Sequence, residues 1–377
     1  MMKIVLAPDS YKESASAKEI CLAMESGIRR VFPEAEIIHV PMADGGEGST
    51  ESLVDATQGE IVYHTVRGPL GDPVEGMIGI HGNQNVAIIE MASASGIQLI
   101  DPSARNPLLT STYGTGQLIA ECLNRGIEEI IIGIGGSATN DGGSGMAQAL
   151  GYRFLDKDGQ EVDGCGGNLD QIVDIDSSQV HSRLGACQIR VACDVQNPLI
   201  GPEGASAIFG PQKGADSKMV EQLDKNLSHF AQVIKRGLGK DIAQVPGSGA
   251  AGGLGGGLLA FTSSQMYRGI DLIIETTCFK EKIRGADIVF TGEGRMDYQT
   301  KYGKTPFGVM QAAKSVEANI KVIGISGCLG DRIEDLYEAG FDGIFSVIPS
   351  IQALESLYES TGQNVANVVE AVCRVIK

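Results

Sequence analysis

A chain of 377 residues exceeds what one ordinary hydrophobic core accommodates, so size alone predicts two domains. Its formal net charge of −17 argues against a nucleic-acid partner, since binding a phosphate backbone needs a cationic face. With 42% hydrophobic residues but no apolar run near the roughly 20 of a membrane span, and no secretory h-region in "MMKIVLAPDSYK", the expected location is the cytoplasm.

The opening "KIVLAP" reads as a buried parallel strand. "SAKEICLAMESGIRRV" then puts Ile20, Met24, Ile28 and Val31 on one helical face, with Ser16 and Glu19 at capping-box spacing. "EIIHVP" is a second strand, followed by a glycine-rich loop and a helix over "TESLVDAT" that stops at Gly59. From residue 60 the grammar changes. "EIVYHTVRGPLGDPVEGMIGIHGNQNVAIIEMA" alternates and is cut at Gly68-Pro69, Asp72-Pro73 and Gly82-Asn83, which predicts antiparallel strands. "GTGQLIAECLNRG" reads as a helix. "IIIGIGGSATNDGGSGMAQAL" is strand, loop and helix, with five glycines between Gly133 and Gly143, and "QIRVACDV" is a later strand. Near the C-terminus "ADIVFTG", "IKVIGISG" and "FDGIFSVI" are three more short strands, with helical segments at 305–317, 331–338, 351–358 and 365–375.

Two early strands and three late ones make one five-stranded sheet. The expected fold is therefore α/β: a discontinuous flavodoxin- or Rossmann-like parallel-sheet domain, 1–59 plus 283–377, carrying an inserted mixed α/β domain, 60–282. The eight scattered cysteines have no C-x-x-C pair and read as reduced core residues. The five histidines lack zinc spacing.

Ligands of open parallel sheets bind beyond the carboxyl ends of the strands. Applied here, that rule gathers Asp9, Ser10 and Lys12; Asp44, Gly45, Gly46 and Glu47; and Glu293, Arg295, Asp297, Thr300, Lys301 and Lys304. A lone Asp after a strand is more often a cap or turn residue, and a glycine there more often serves a tight turn. The functional reading gains because several chemically apt loops are predicted to share one edge. The Gly133–Gly145 loop adds backbone N–H groups at a helix start, suited to an oxyanion, with Asn140 and Asp141 to hold a hydroxyl or Mg²⁺. Arg67 and Lys213 lie in similar glycine contexts.

Some patterns fail. "YGKTP" ends like a phosphate-binding P-loop, but Tyr298 stands where its first glycine belongs. Gly133-x-Gly135-x-x-Ala138 formally matches a dinucleotide fingerprint, yet "TNDGGSG" postpones the helix. An NAD(P)-dependent oxidoreductase of a small hydroxy acid and a non-catalytic carboxylate-binding protein are thus the rival readings. "GSGAAGGLGGGLLAF" reads either as an anion loop or as close packing.

Taken together, "APDSYKESASA", "PMADGGEGS", "EMASASGIQLI", "STYGTGQLI", "IGIGGSATNDGGSGMAQALG", "ACDVQNPLIGPEGA", "FGPQKGA" and "TGEGRMDYQTKYGKTP" resemble the bacterial type-1 glycerate kinase family across nearly the whole chain. One departure is Glu13, where members commonly carry glycine. The resemblance implies ATP- and Mg²⁺-dependent phosphorylation of D-glycerate, usually at the 2-hydroxyl, in an interdomain cleft; the sequence leaves a homo-oligomer open. On that reading Asp194 or Asp44 orients or deprotonates the hydroxyl, while Asp141, Glu293 and Asp297 hold the metal. Lys12, Lys213 and Lys304 neutralise phosphate or carboxylate. Asp9, Ser10, Gly45, Gly46, Glu47, Arg67, Gly135, Gly136, Ser137, Asn140 and Thr300 complete the expected binding set.

Overall fold

The computed structural model describes residues 1–46 and 48–377, which divide into two compact units; Glu47 lies outside the described residues. In chain order the strands of the two main sheets are β1 (Lys3–Pro8), β2 (Glu36–His39), β3 (Glu60–Arg67), β4 (Pro73–Ile80), β5 (Val86–Glu90), β6 (Glu129–Gly133), β7 (Gln188–Ala192), β8 (Ser264–Tyr267), β9 (Ile288–Gly292), β10 (Lys321–Ser326) and β11 (Gly343–Ser346).

The first unit comprises Met1–Asp44, Glu51–Gly59 and Arg268–Lys377. Its five strands run parallel in the order β11-β10-β9-β1-β2, so the two early and three late strands do form one sheet. Period-2 alternation sends Ile4, Leu6, Ile288, Phe290, Ile323 and Ile325 into one core. There they meet Ile20, Met24 and Ile28 of the helix Ala17–Arg29 and Val365 and Val369 of the helix Thr361–Ile376. The Ser16–Glu19 capping box is formed in both directions. Renumbered within this sheet, the order is 2-1-3-4-5, and its topological switch falls between β1 and β9. Asp9 and Glu293 follow those two strands, and the ladder continues past them through an Asp9 N–H···O=C Gly292 bond of 2.8 Å.

The seam of this unit lies at 267/268 rather than at 282/283. The helices Gly269–Thr276 and Phe279–Lys282, placed by sequence in the insert, belong here. Ile270 packs so tightly on the helix Thr305–Val316 that a Cβ on Gly308 would come within 2.3 Å of it.

The second unit, Gly45–Thr50 with Glu60–Tyr267, holds a six-stranded sheet in the order β8-β7-β6-β5-β4-β3. The segment β3-β4-β5 is antiparallel, as the turn residues imply, and β5 to β8 are parallel. Ile89, Ile130, Ile132, Ile189 and Val191 bury against Leu118, Ile119 and Cys122 of the helix Tyr113–Asn124. A second core gathers Phe154, Phe230 and Phe261 beneath the 22-residue helix Ser217–Leu238.

Candidate active site

In the first unit the strand-end loops bring three carboxylates into mutual electrostatic range. The Asp9 carboxylate accepts the Ser10 N–H at 2.7 Å and the Thr305 hydroxyl at 2.5 Å. Burial, then the charge of Asp44, and last that of Glu293 push its acid up to about 7 against the pull of those hydrogen bonds. Glu293 accepts from the Thr300 hydroxyl at 2.8 Å and lies 3.2 Å from the Lys304 ammonium. Burial raises it to about 6, opposed chiefly by Lys304 and reinforced by Asp44. Thr300 is fully buried; its hydroxyl also accepts the Asp297 N–H at 3.2 Å, so one side chain locks two loop positions. Asp297 is the cap of the turn Tyr298–Tyr302, its carboxylate taking the Gln299 N–H at 2.9 Å and Arg295 at 3.1 Å. Lys12 is exposed on the tight Tyr11–Ala15 turn, where Glu13 has φ 65°. That left-handed conformation is the physical reason a glycine belongs there.

In the second unit Gly45 and Gly46 lie on the end of β6. A Cβ on Gly133 would meet the Gly45 carbonyl at 2.4 Å, and one on Gly135 would lie 3.9 Å from Gly46. Gly135 and Gly136 are exposed, whereas Ser137, Asn140 and Asp141 turn inward. Lys213 is buried and donates to the Ser137 hydroxyl at 2.7 Å and the Thr139 carbonyl at 2.6 Å. Burial drives its ammonium down to about 7, with Asp141 pulling back. Asp141 accepts four hydrogen bonds, from Thr112 N–H and hydroxyl and from the N–H groups of Gly143 and Gly145. A carboxylate so saturated braces its own loop. Asn140 donates to Ser206 at 2.9 Å. Arg67 ends β3, its guanidinium 5.3 Å from the Tyr113 ring centre, and Asp194 is exposed just after β7.

The Gly133 loop does not take the dinucleotide form. Its polar residues fold inward first, and the helix Ser144–Ala149 starts only after Gly143 at φ 76°. The later glycine run is close packing: a Cβ on Gly257 would meet the Gly142 carbonyl at 2.6 Å. Sequence reading missed Thr305, Thr112, Ser206 and Glu90. The first three are hydroxyl groups whose partners lie far along the chain. Glu90, ending the apolar run "VAIIE", is a charge at a buried strand end and is the one that pattern alone exposes.

A family model described as "Glycerate kinase family" matches residues 4–377. A glycerate kinase of Halalkalibacterium halodurans is 50% identical over 373 residues, covering 97% of this chain and 98% of its own. A glycerate 2-kinase of Escherichia coli is 49% identical over 364 residues, covering 97% and 95%. A crystal structure from Salmonella typhimurium, described as a glycerate kinase 2, superposes with a TM-score of 0.92 at 48% identity, covering 100% of this chain and 98% of that one.

Proposed function

The chain is an enzyme of the glycerate kinase family, and from that premise we propose that it transfers the terminal phosphoryl group of ATP, with Mg²⁺, to the 2-hydroxyl of D-glycerate. The observation that carries this reading is the carboxylate group at the switch point: Asp9 and Glu293, raised to about 7 and about 6, beside Asp44 and the Lys304 ammonium. Buried carboxylates that repel one another suit a site completed by a cation. Among the described residues no three or more His, Cys, Asp or Glu side chains form a cage of their own. Mg²⁺ asks for less, since one or two carboxylates with phosphate oxygens and water hold it.

Of the metal residues expected from sequence, Glu293 fits best, with Asp9 beside it. Asp297 and Asp141 act as buttresses, because their oxygens are taken by Gln299 and Arg295 and by Thr112, Gly143 and Gly145. Mg²⁺, when bound, neutralises charge on the phosphate oxygens. Lys304 and Lys12 offset the charge of the phosphates, and Ser10 and Thr300 set the loops around them. The exposed Gly135–Gly136 backbone, backed by Ser137, Asn140 and the buried Lys213, accepts an anion, with Gly45 and Gly46 against the end of β6 and Arg67 at the end of β3 in the same unit. Asp44, or alternatively Asp194, orients the glycerate hydroxyl and takes its proton as the phosphoryl group leaves ADP.

Phosphorus NMR on a mixture of the protein, ATP, MgCl₂ and D-glycerate tests this. The expected products are ADP and 2-phosphoglycerate. ATP consumption that does not depend on glycerate, or 3-phosphoglycerate alone, would refute the respective half of the assignment. Asp44→Asn and Glu293→Gln should each lower kcat by about 10²-fold or more, the scale for removing a positioned acid–base or charge-stabilising group.

A further inference from the structure

In the stretch "MADGGEGST" the Asp44 carboxylate is followed by glycine at positions 45, 46 and 48. Gly45 and Gly48 both take left-handed conformations, φ 89° and 84°, and chain of that composition has much freedom to lose. Two features of the second unit hold Gly45, Gly48 and Thr50. The Gly45 carbonyl occupies the space left by the absent Gly133 side chain, which seats the start of the segment on β6. The far end is held by Glu90, the last residue of β5 and the register partner of Gly133. Glu90 is 8% exposed, and its carboxylate accepts the Thr50 N–H at 2.8 Å and the Gly48 N–H at 3.3 Å. These donors lie at the start of the helix Ser49–Thr57, where amides lack intrahelical partners and a negative charge is favoured. Asp44 immediately precedes the clamped segment.

We infer that Glu90 is a positioning residue for phosphoryl transfer: by clamping Gly48 and Thr50 it fixes the loop that begins at Asp44, and so fixes how the Asp44 carboxylate is presented. The inference rests on the reading of Asp44 as a substrate-facing group. Glu90 contributes through the backbone amides of Gly48 and Thr50.

The test compares Glu90→Ala with Glu90→Gln, which keeps one acceptor oxygen at the same reach. Steady-state kinetics are combined with hydrogen–deuterium exchange of the peptide spanning 45–52. A misplaced catalytic group costs turnover more than binding, so Glu90→Ala should lose about 10-fold or more in kcat with KM for ATP and glycerate within about twofold. Its 45–52 amides should exchange faster while β5 and β6 stay protected, and Glu90→Gln should recover most of the turnover. Wild-type kcat in both variants overturns the inference. So does a loss in Glu90→Ala that only follows the folded fraction, with exchange at 45–52 unchanged. The exchange measurement needs no substrate, so a wild-type chain unable to phosphorylate glycerate would end the functional reading while the clamp is judged separately.

Discussion

Asp9 shows how burial and a neighbouring charge make stability depend on pH. Its acid value is about 7 in the folded chain against 3.8 for the free side chain. As pH rises from about 4 to about 7, the unfolded chain therefore releases this proton before the folded one does, and the stability linked to Asp9 declines across that window. Asp9→Asn should accordingly melt above the wild type at pH 8 and level with it near pH 3.5, while losing activity. A melting temperature below wild type at both pH values would contradict the burial-and-repulsion account. Glu13 is a second case. At φ 65° it bears the left-handed penalty, so Glu13→Gly should stabilise by about 1 kcal/mol, measured by urea unfolding. The sequence signalled this site as a missing glycine, but only the backbone angle says why glycine is preferred.

At the level of elements, most strands were legible because alternation and turn residues are local properties, whereas β8, the short run Ser264–Tyr267, went unread. Ile4 and Leu6, or the cuts at Gly68 and Asp72, carry their meaning within a few positions. The seam at 267/268 was not legible. The apolar face of Gly269–Thr276 would look the same whichever unit buried it, and only its packing at Gly308 decides. The glycine run before Phe261 was ambiguous for a similar reason: close approach and anion binding call for the same residue. The structure resolves it as approach, and Gly257→Ala should destabilise by about 1–3 kcal/mol through collision with the Gly142 carbonyl, 2.6 Å from the new methyl group. Equal unfolding midpoints for the two proteins would show that the loop yields instead. The candidate site was readable residue by residue as carboxylates and lysines at strand ends. That Asp141 spends its oxygens bracing its own loop depends on hydrogen bonds no spacing reveals.

For the whole molecule, ligand linkage offers a check that does not depend on any one residue. ATP with Mg²⁺ should raise the melting temperature, by about 2.7 kcal/mol of added stability at a hundredfold excess over Kd, and NADH should leave it unchanged. A shift with NADH and none with ATP would reverse that assignment. The strand order has a further consequence, for synthesis. β1 emerges first from the ribosome, yet its neighbour β9 pairs with it at Ile4 opposite Ile288, a separation the polymer must span before that ladder can close. Every strand of the six-stranded sheet, by contrast, is translated between residues 60 and 267. A nascent polypeptide halted before β9 would hold one flank of β1 unpaired, a template for misassociation that chaperones are suited to shield.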